Sequence, residues 1–153
     1  MLQKRRLMLK SILGMATLLG GIAVMPRLAF AKWSKAFDAK SADSALMGLY
    51  DKTELQKTER IQLKVPEIAE NGAVVPVNVT TDLENVKTIS IIGVKNPQPL
   101  ACCFTIPEGT DADVSIRIRL FETMDVQAIV ETTDGTLHSV QQEVKVTIGG
   151  CGG

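Results

Sequence analysis

The residues best placed to do chemistry are Gly149-Gly150-Cys151-Gly152-Gly153. One thiol stands between two glycine pairs. Glycine has no Cβ, so these residues cannot pack a core and gain little from order. Fully extended, five residues reach roughly 17 Å, at about 3.4 Å each. The expectation is a slender, mobile arm with one nucleophilic sulfur near its tip, since the thiolate is the reactive form. No histidine or cation neighbours Cys151, and an ordinary thiol near pKa ~8.5 is only a few per cent ionised at about pH 7. Such a sulfur is quiet alone and acts inside a pocket that another protein supplies. Ordering backbone costs about 1–2 kcal/mol per residue, which favours brief visits over tight complexes. The competing account is an incidental disordered tail. A prenylation box needs Cys fourth from the end, and Cys151 is third. A single thiol is not a metal site.

Other candidates are weaker. Cys102 and Cys103 are adjacent. In a strand they point to opposite faces, which puts one in the core and the other outside or against a partner. Buried, inert thiols are the simplest account of both. A disulfide from either one to Cys151 is the alternative that would silence the arm. His138 is the single histidine and lies in no ligand motif. Arg117 and Arg119 share one strand face, where they are solvated, pair with acids, or meet an anion or partner. There is no G-x-S-x-G, phosphate loop or zinc spacing, so no catalytic residue, metal or cofactor is expected.

Export and charge narrow the class further. Lys4, Arg5, Arg6 and Lys10 form a basic head, an apolar run follows from Ile12 to Val24, and Ala29-Phe30-Ala31 is a small-x-small cleavage site. Residues 1–31 therefore read as a secretory signal cleaved before Lys32. Arg5-Arg6-Leu7-Met8-Leu9-Lys10 resembles the twin-arginine motif, with departures at Lys4 and Met8. The expected compartment is the periplasm, and the apolar run is short for a retained membrane anchor. Five of the seventeen basic residues and none of the seventeen acidic ones fall in 1–31, leaving twelve against seventeen, a net of −5. Nucleic-acid recognition needs a basic footprint, so it is excluded as a function class.

The elements that must hold the arm come next. Residues 33–50 are predicted as a helix capped by Ser34, with Trp33, Phe37, Ala45, Leu46, Leu49 and Tyr50 on its apolar side. The period then switches to two. Ile61, Leu63 and Val65 alternate, as do Val75, Val77 and Val79, with Pro76 marking an edge position. A β-branched run at 86–94, a strand from Leu100 to Ile106, the alternating stretch 114–120 and Val126 to Thr132 follow. Asp134-Gly135 is a hairpin turn. A last strand carries Val144, Val146 and Ile148 straight into the arm. About seven short strands predict an all-β, antiparallel, immunoglobulin-like sandwich with an N-terminal helix. The expected domains are the signal at 1–31, helix plus sandwich at 32–148, and the arm at 149–153.

These residues carry a resemblance. Pro66-Glu67-Ile68-Ala69-Glu70-Asn71-Gly72, Val75-Pro76-Val77, Asn96-Pro97-x-Pro99, Arg117-Ile118-Arg119 and Gly149-Gly150-Cys151-Gly152-Gly153 occur in the order found in the SoxY family. The chain thus resembles the sulfur-carrier subunit of the Sox thiosulfate-oxidation system. The resemblance implies an immunoglobulin-like domain paired with a small β subunit, SoxZ, and Cys151 as the covalent attachment point. It implies a haem enzyme that joins thiosulfate to that sulfur and a hydrolase that releases sulfate. A sulfane dehydrogenase is a further implied visitor. Cys102 and Cys103 depart from the family pattern, in which the arm cysteine is generally the only one. Two other functions compete: a structural or adhesive exported sandwich, and a thiol redox or copper-handling protein using Cys102 and Cys103.

Overall fold

The computed structural model describes residues 34–147. The expectations for the signal at 1–31, Trp33, Ile148 and the arm at 149–153 lie outside the described residues. Among the described residues, after a helical turn at 34–37, the elements are a helix, α1 (Ala42–Tyr50), and nine strands: β1 (Gln56–Lys57), β2 (Ile61–Lys64), β3 (Ile68–Ala69), β4 (Val75–Thr81), β5 (Val86–Gly93), β6 (Leu100–Thr105), β7 (Asp113–Ile118), β8 (Met124–Thr132) and β9 (Leu137–Val146).

The alternation in β4 and β7 puts Val75, Val77, Val79, Val114 and Ile118 on one buried face, and Ile61 of β2 joins them. These strands form a sheet in the order β2-β4-β7. It packs on a larger sheet, β1-β9-β8-β5-β6, whose inward residues include Ile89, Ile91, Cys102, Val126, Ala128, Val130 and Val144. Each fully buried aliphatic side chain stabilises the sandwich by about 1.5–3 kcal/mol. The architecture is the expected immunoglobulin-like sandwich. The strand count is nine rather than about seven. The two additional strands, β1 and β3, have two residues each and run parallel to β9. Pieces that short have no readable period.

The β-branched run at 86–94 gave no alternation because both faces of β5 are covered. Ile89 and Ile91 enter the sandwich core, while Ile92 lies with Leu100, Ile129 and Leu137 under Ala45, Leu46 and Tyr50 of α1. A shift between Ile91 and Ile92 in the β5–β6 register pairs Ile91 with Cys102 and Ile92 with Leu100. Ala101 is the extra residue, a bulge on β6.

Two expectations need correction. The helix predicted at 33–50 is interrupted: residues 34–37 are helical, and α1 begins only at Ala42. Ser41 adopts an extended backbone (φ −141°, ψ 155°) and exchanges bonds with Ser44. Its Oγ accepts from Ser44 N at 3.2 Å, and its N donates to Ser44 Oγ at 3.1 Å. This reciprocal cap starts a new helix where the apolar pattern alone reads through. Pro76 is also not on an edge strand, because β4 is central, between β2 and β7. The β2 ladder ends at Lys64–Asn78, and continuing its register would set Pro66 opposite Pro76. Neither proline has an N–H to donate, so the ladder stops there and Pro76 faces only β7.

The Asp134-Gly135 turn closes β8 onto β9 as predicted. Gly135 has φ 82°, and Gly135 N donates to Thr132 O at 2.8 Å. Asp134 accepts from the Thr132 and Thr136 hydroxyls and from Thr136 N, and these bonds hold its carboxyl down at about 2.

At the opposite end of β9, Gly72 lies against Leu120 and Val146, and Leu120 N donates to Gly72 O at 2.7 Å. A Cβ at Gly72 would collide with the Leu120 carbonyl. Gly72→Ala is expected to lower stability by roughly 1–3 kcal/mol, as overpacking does. Urea unfolding followed by far-ultraviolet circular dichroism measures it, and an unchanged midpoint would show that this contact gives way freely.

Candidate functional site

The site is built around the end of β9, the strand that leads to Cys151. β8 pairs along one side of β9 from Leu137 to Val144. Along the other, β3 aligns Ile68 with Lys145 and Ala69 with Val146. Lys145 N donates to Glu67 O at 2.9 Å, and Thr147 N donates to Ala69 O at 3.1 Å. Val146 N donates to Thr123 Oγ1 at 3.0 Å, which ties the strand to the β7–β8 loop. Backbone pairing therefore fixes the chain up to Thr147, four residues before Cys151. Cys151 and its glycines lie outside the described residues.

Cys102 and Cys103 point to opposite faces, as strand geometry requires. Cys102 is buried in the sandwich core, and burial pushes its thiol up to about 12. Cys103 faces the other way and is half-buried beside the hydroxyls of Ser90 and Tyr50. Burial pushes its thiol up against the pull of the Ser90 and Tyr50 hydroxyls. Both are free thiols. Because their sulfurs sit on opposite sides of β6, they cannot hold one ion together.

The polar groups around Cys103 form a directed chain. Thr88 Oγ1 donates to Glu131 Oε2 at 3.2 Å, so it accepts from the Tyr50 hydroxyl at 3.1 Å. Tyr50 in turn accepts from Ser90 at 2.5 Å. Lys87 Nζ meets Glu131 Oε1 at 3.0 Å and closes the chain with a positive charge. Burial raises the Tyr50 hydroxyl above its ordinary range. Sequence reasoning missed this network. Its trace was Thr88 and Ser90, two hydroxyl residues set among β-branched ones at a spacing of two.

His138 is half-buried in β9, opposite Val130 and beside Gln56 of β1. It adjoins the Asp134 turn rather than Cys102 or Cys103. Arg117 lines a groove of about 480 Å³ with Lys64, Pro66, Pro76, Asn78 and Ser115 on the outer face of the smaller sheet. Arg119 stacks over Phe121, its guanidinium 5.0 Å from the ring centroid. The two arginines share an exposed face, and Arg119 stands nearer the end of the sandwich from which the chain leaves β9. Among the described residues, no three His, Cys, Asp or Glu side chains gather as a metal site. None of the described helices is long and apolar enough to cross a membrane.

These features define an immunoglobulin-like sandwich that anchors a cysteine-bearing extension and keeps its two other thiols folded away. The model of the sulfur oxidation protein SoxY family matches residues 46–151, a span that includes Cys151, and the chain belongs to that family. The solved sulfur carrier protein SoxY from Chlorobium limicola f thiosulfatophilum is 37% identical, with a TM-score of 0.63, over 69% of this chain and 96% of that one. A superoxide reductase (neelaredoxin) from Ignicoccus hospitalis aligns at 16% identity and TM-score 0.51, over 58% of this chain and 81% of that one. A putative superoxide reductase from Thermotoga maritima aligns at 14% and 0.54, over 61% and 94%. Those two likenesses concern the fold alone. No curated protein matches the sequence.

The raised Cys102 thiol has a consequence at alkaline pH. Between about pH 9 and 12 the unfolded chain has released this proton while the folded chain retains it. Stability therefore falls as pH rises through that window. Urea midpoints measured from pH 8 to 11 should decline, and Cys102→Ala should lessen the slope, the remainder coming from the raised Cys103 and Tyr50. An identical slope in the variant would show that Cys102 does not carry the effect.

Proposed function

We propose that this protein is a covalent carrier of sulfur in thiosulfate oxidation, with Cys151 as the attachment point and residues 149–153 as the arm. The observation that carries this reading is the SoxY family match extending to Cys151, beside 37% identity to a solved sulfur carrier. The chemistry fits a thiol that others activate. The Cys151 thiolate joins the outer sulfur of thiosulfate, giving Cys–S–S–SO3⁻, and two electrons pass to a haem enzyme. A thiosulfohydrolase adds water across the bond between the outer sulfur and the terminal SO3⁻ group, releasing sulfate and two protons and leaving Cys–S–S⁻. A sulfane dehydrogenase is the candidate third visitor. The carrier itself supplies no general acid, base or metal to these steps.

The same proposal includes a stable pairing with a SoxZ-like β subunit and export to the periplasm on the signal at 1–31. The fold favours a carrier over a redox or copper protein, because the two described thiols, one buried and one half-buried, lie on opposite faces of one strand. Burial also raises both of them, which disfavours the thiolate that metal binding and disulfide exchange need.

Incubation of the native protein with thiosulfate and the oxidising enzymes should add mass to the peptide containing Cys151 and to no other. Cys151→Ala should keep the thermal midpoint and abolish turnover. Full oxidation supported by that variant would overturn the carrier assignment.

A further inference from the structure

Six large apolar side chains stand exposed among the described residues; Phe37 and Met47 lie on the helical segments before β1, and the other four gather in one place. Val74 precedes β4, Val94 follows β5, Phe121 lies between β7 and β8, and Ile68 is in β3. All four sit at the end of the sandwich where β9 finishes. Backbone and side-chain bonds hold their loops together. Asn96 Nδ2 donates to Arg119 O at 2.7 Å, and Asn96 Oδ1 accepts from Phe121 N at 3.2 Å. Val94 N donates to Asp125 O at 3.1 Å, and Val74 N to Asn71 O at 3.3 Å. Gly72 packs on Leu120, and Thr123 holds Val146 N. The loops at 70–74, 93–96 and 119–123 therefore form one fixed cap beside Thr147, with Ile68 on the far flank next to Lys145.

Nothing in folding requires these side chains to be exposed. Ile68 is 57%, Val74 51%, Val94 37% and Phe121 52% exposed. Together they leave on the order of 300–400 Å² open, whereas a stable interface takes about 800 Å² from each partner. Their size suits a brief encounter. Distance makes that encounter unavoidable. Cys151 is four residue steps beyond Thr147, a span of about 14 Å when extended. A pocket that takes the sulfur several ångströms below its rim must bring that rim down onto the loops around Thr147.

We propose that this cap, with Phe121 at its centre, is the docking surface for the enzyme that modifies Cys151. Its occupant is a globular oxidoreductase whose pocket mouth carries apolar side chains and a carboxylate placed to meet Arg119. Phe121 and Val74 supply the desolvated contact, and Arg119, held over the Phe121 ring, supplies orientation. This rests on the carrier reading above, and it makes recognition a property of the sandwich rather than of the glycine arm.

The test uses the full chain co-purified with its β partner, thiosulfate as sulfur donor, and the conjugating enzyme purified by that activity. For Phe121→Ser and for Val74→Ser, KM for the carrier should rise about tenfold, the weight of a central interface anchor. The rate at saturating carrier should stay within twofold, as should alkylation of Cys151 by iodoacetamide. Both residues are exposed, so the thermal midpoint should hold. KM values within twofold of the parent would overturn the docking surface while leaving the carrier reading intact. Loss of the β partner from either variant would overturn it by assigning the cap to the subunit interface. Failure of the parent protein to be loaded at Cys151 would remove both proposals together.

Discussion

Strand β9 is held on both sides. β8 pairs along one edge, β1 and β3 pair along the other, and the bonding continues through Thr147 N to Ala69 O. An edge strand with a free side would fray and let the origin of any following segment wander. Here the final turns of the ladder are closed by backbone bonds from β3 and by the Thr123 hydroxyl. Whatever follows Thr147 starts from one point with one direction, and the loops beside that point are fixed by the same contacts. The two short parallel strands are therefore more than trimmings of the sandwich. They convert a terminal strand into an interior one at the place where position matters.

A second constraint concerns sulfur. If Cys151 is the working thiol, as proposed, other thiols must be kept out of reach, and this chain has two more. Their adjacency in β6 decides their fate, because one residue must face each side of the sheet. The sandwich core receives Cys102, and Cys103 is half-buried beside Tyr50 of α1. The helix is set over the sheet by Tyr50, whose hydroxyl joins the Ser90–Thr88–Glu131 chain on the outer sheet face. Buried polar groups are costly when unpaired. The directed chain satisfies each of them and fixes where the helix sits.

Much of this was legible in the residues. Period-two runs placed β2, β4, β7, β8 and β9, and Asp134-Gly135 placed the hairpin between the last two. The glycine-flanked cysteine drew attention to the end of β9. What was not legible has physical reasons. A reciprocal Ser41–Ser44 cap splits an apolar pattern that reads as one helix. Pro76 lies in the central strand of its sheet, but beyond the point where the β2 ladder stops, so it faces only β7. β1 and β3 are too short to show a period, and β5 shows none because it is buried on both faces. The polar chain under α1 exists only once β5, β6, β8 and the helix are assembled, and no local window contains it. The apolar cap likewise joins residues from four loops and strands.

The central claim is that the folded protein offers one sulfur to its partners and withholds two. Mass spectrometry of native protein during a brief iodoacetamide pulse, with each cysteine peptide quantified separately, tests it most directly. The account predicts rapid alkylation at Cys151, little at Cys102 or Cys103, and full alkylation of all three in denaturant. Equal labelling of Cys103 and Cys151 in the native state, or a Cys151 that resists the reagent until the protein unfolds, would contradict it.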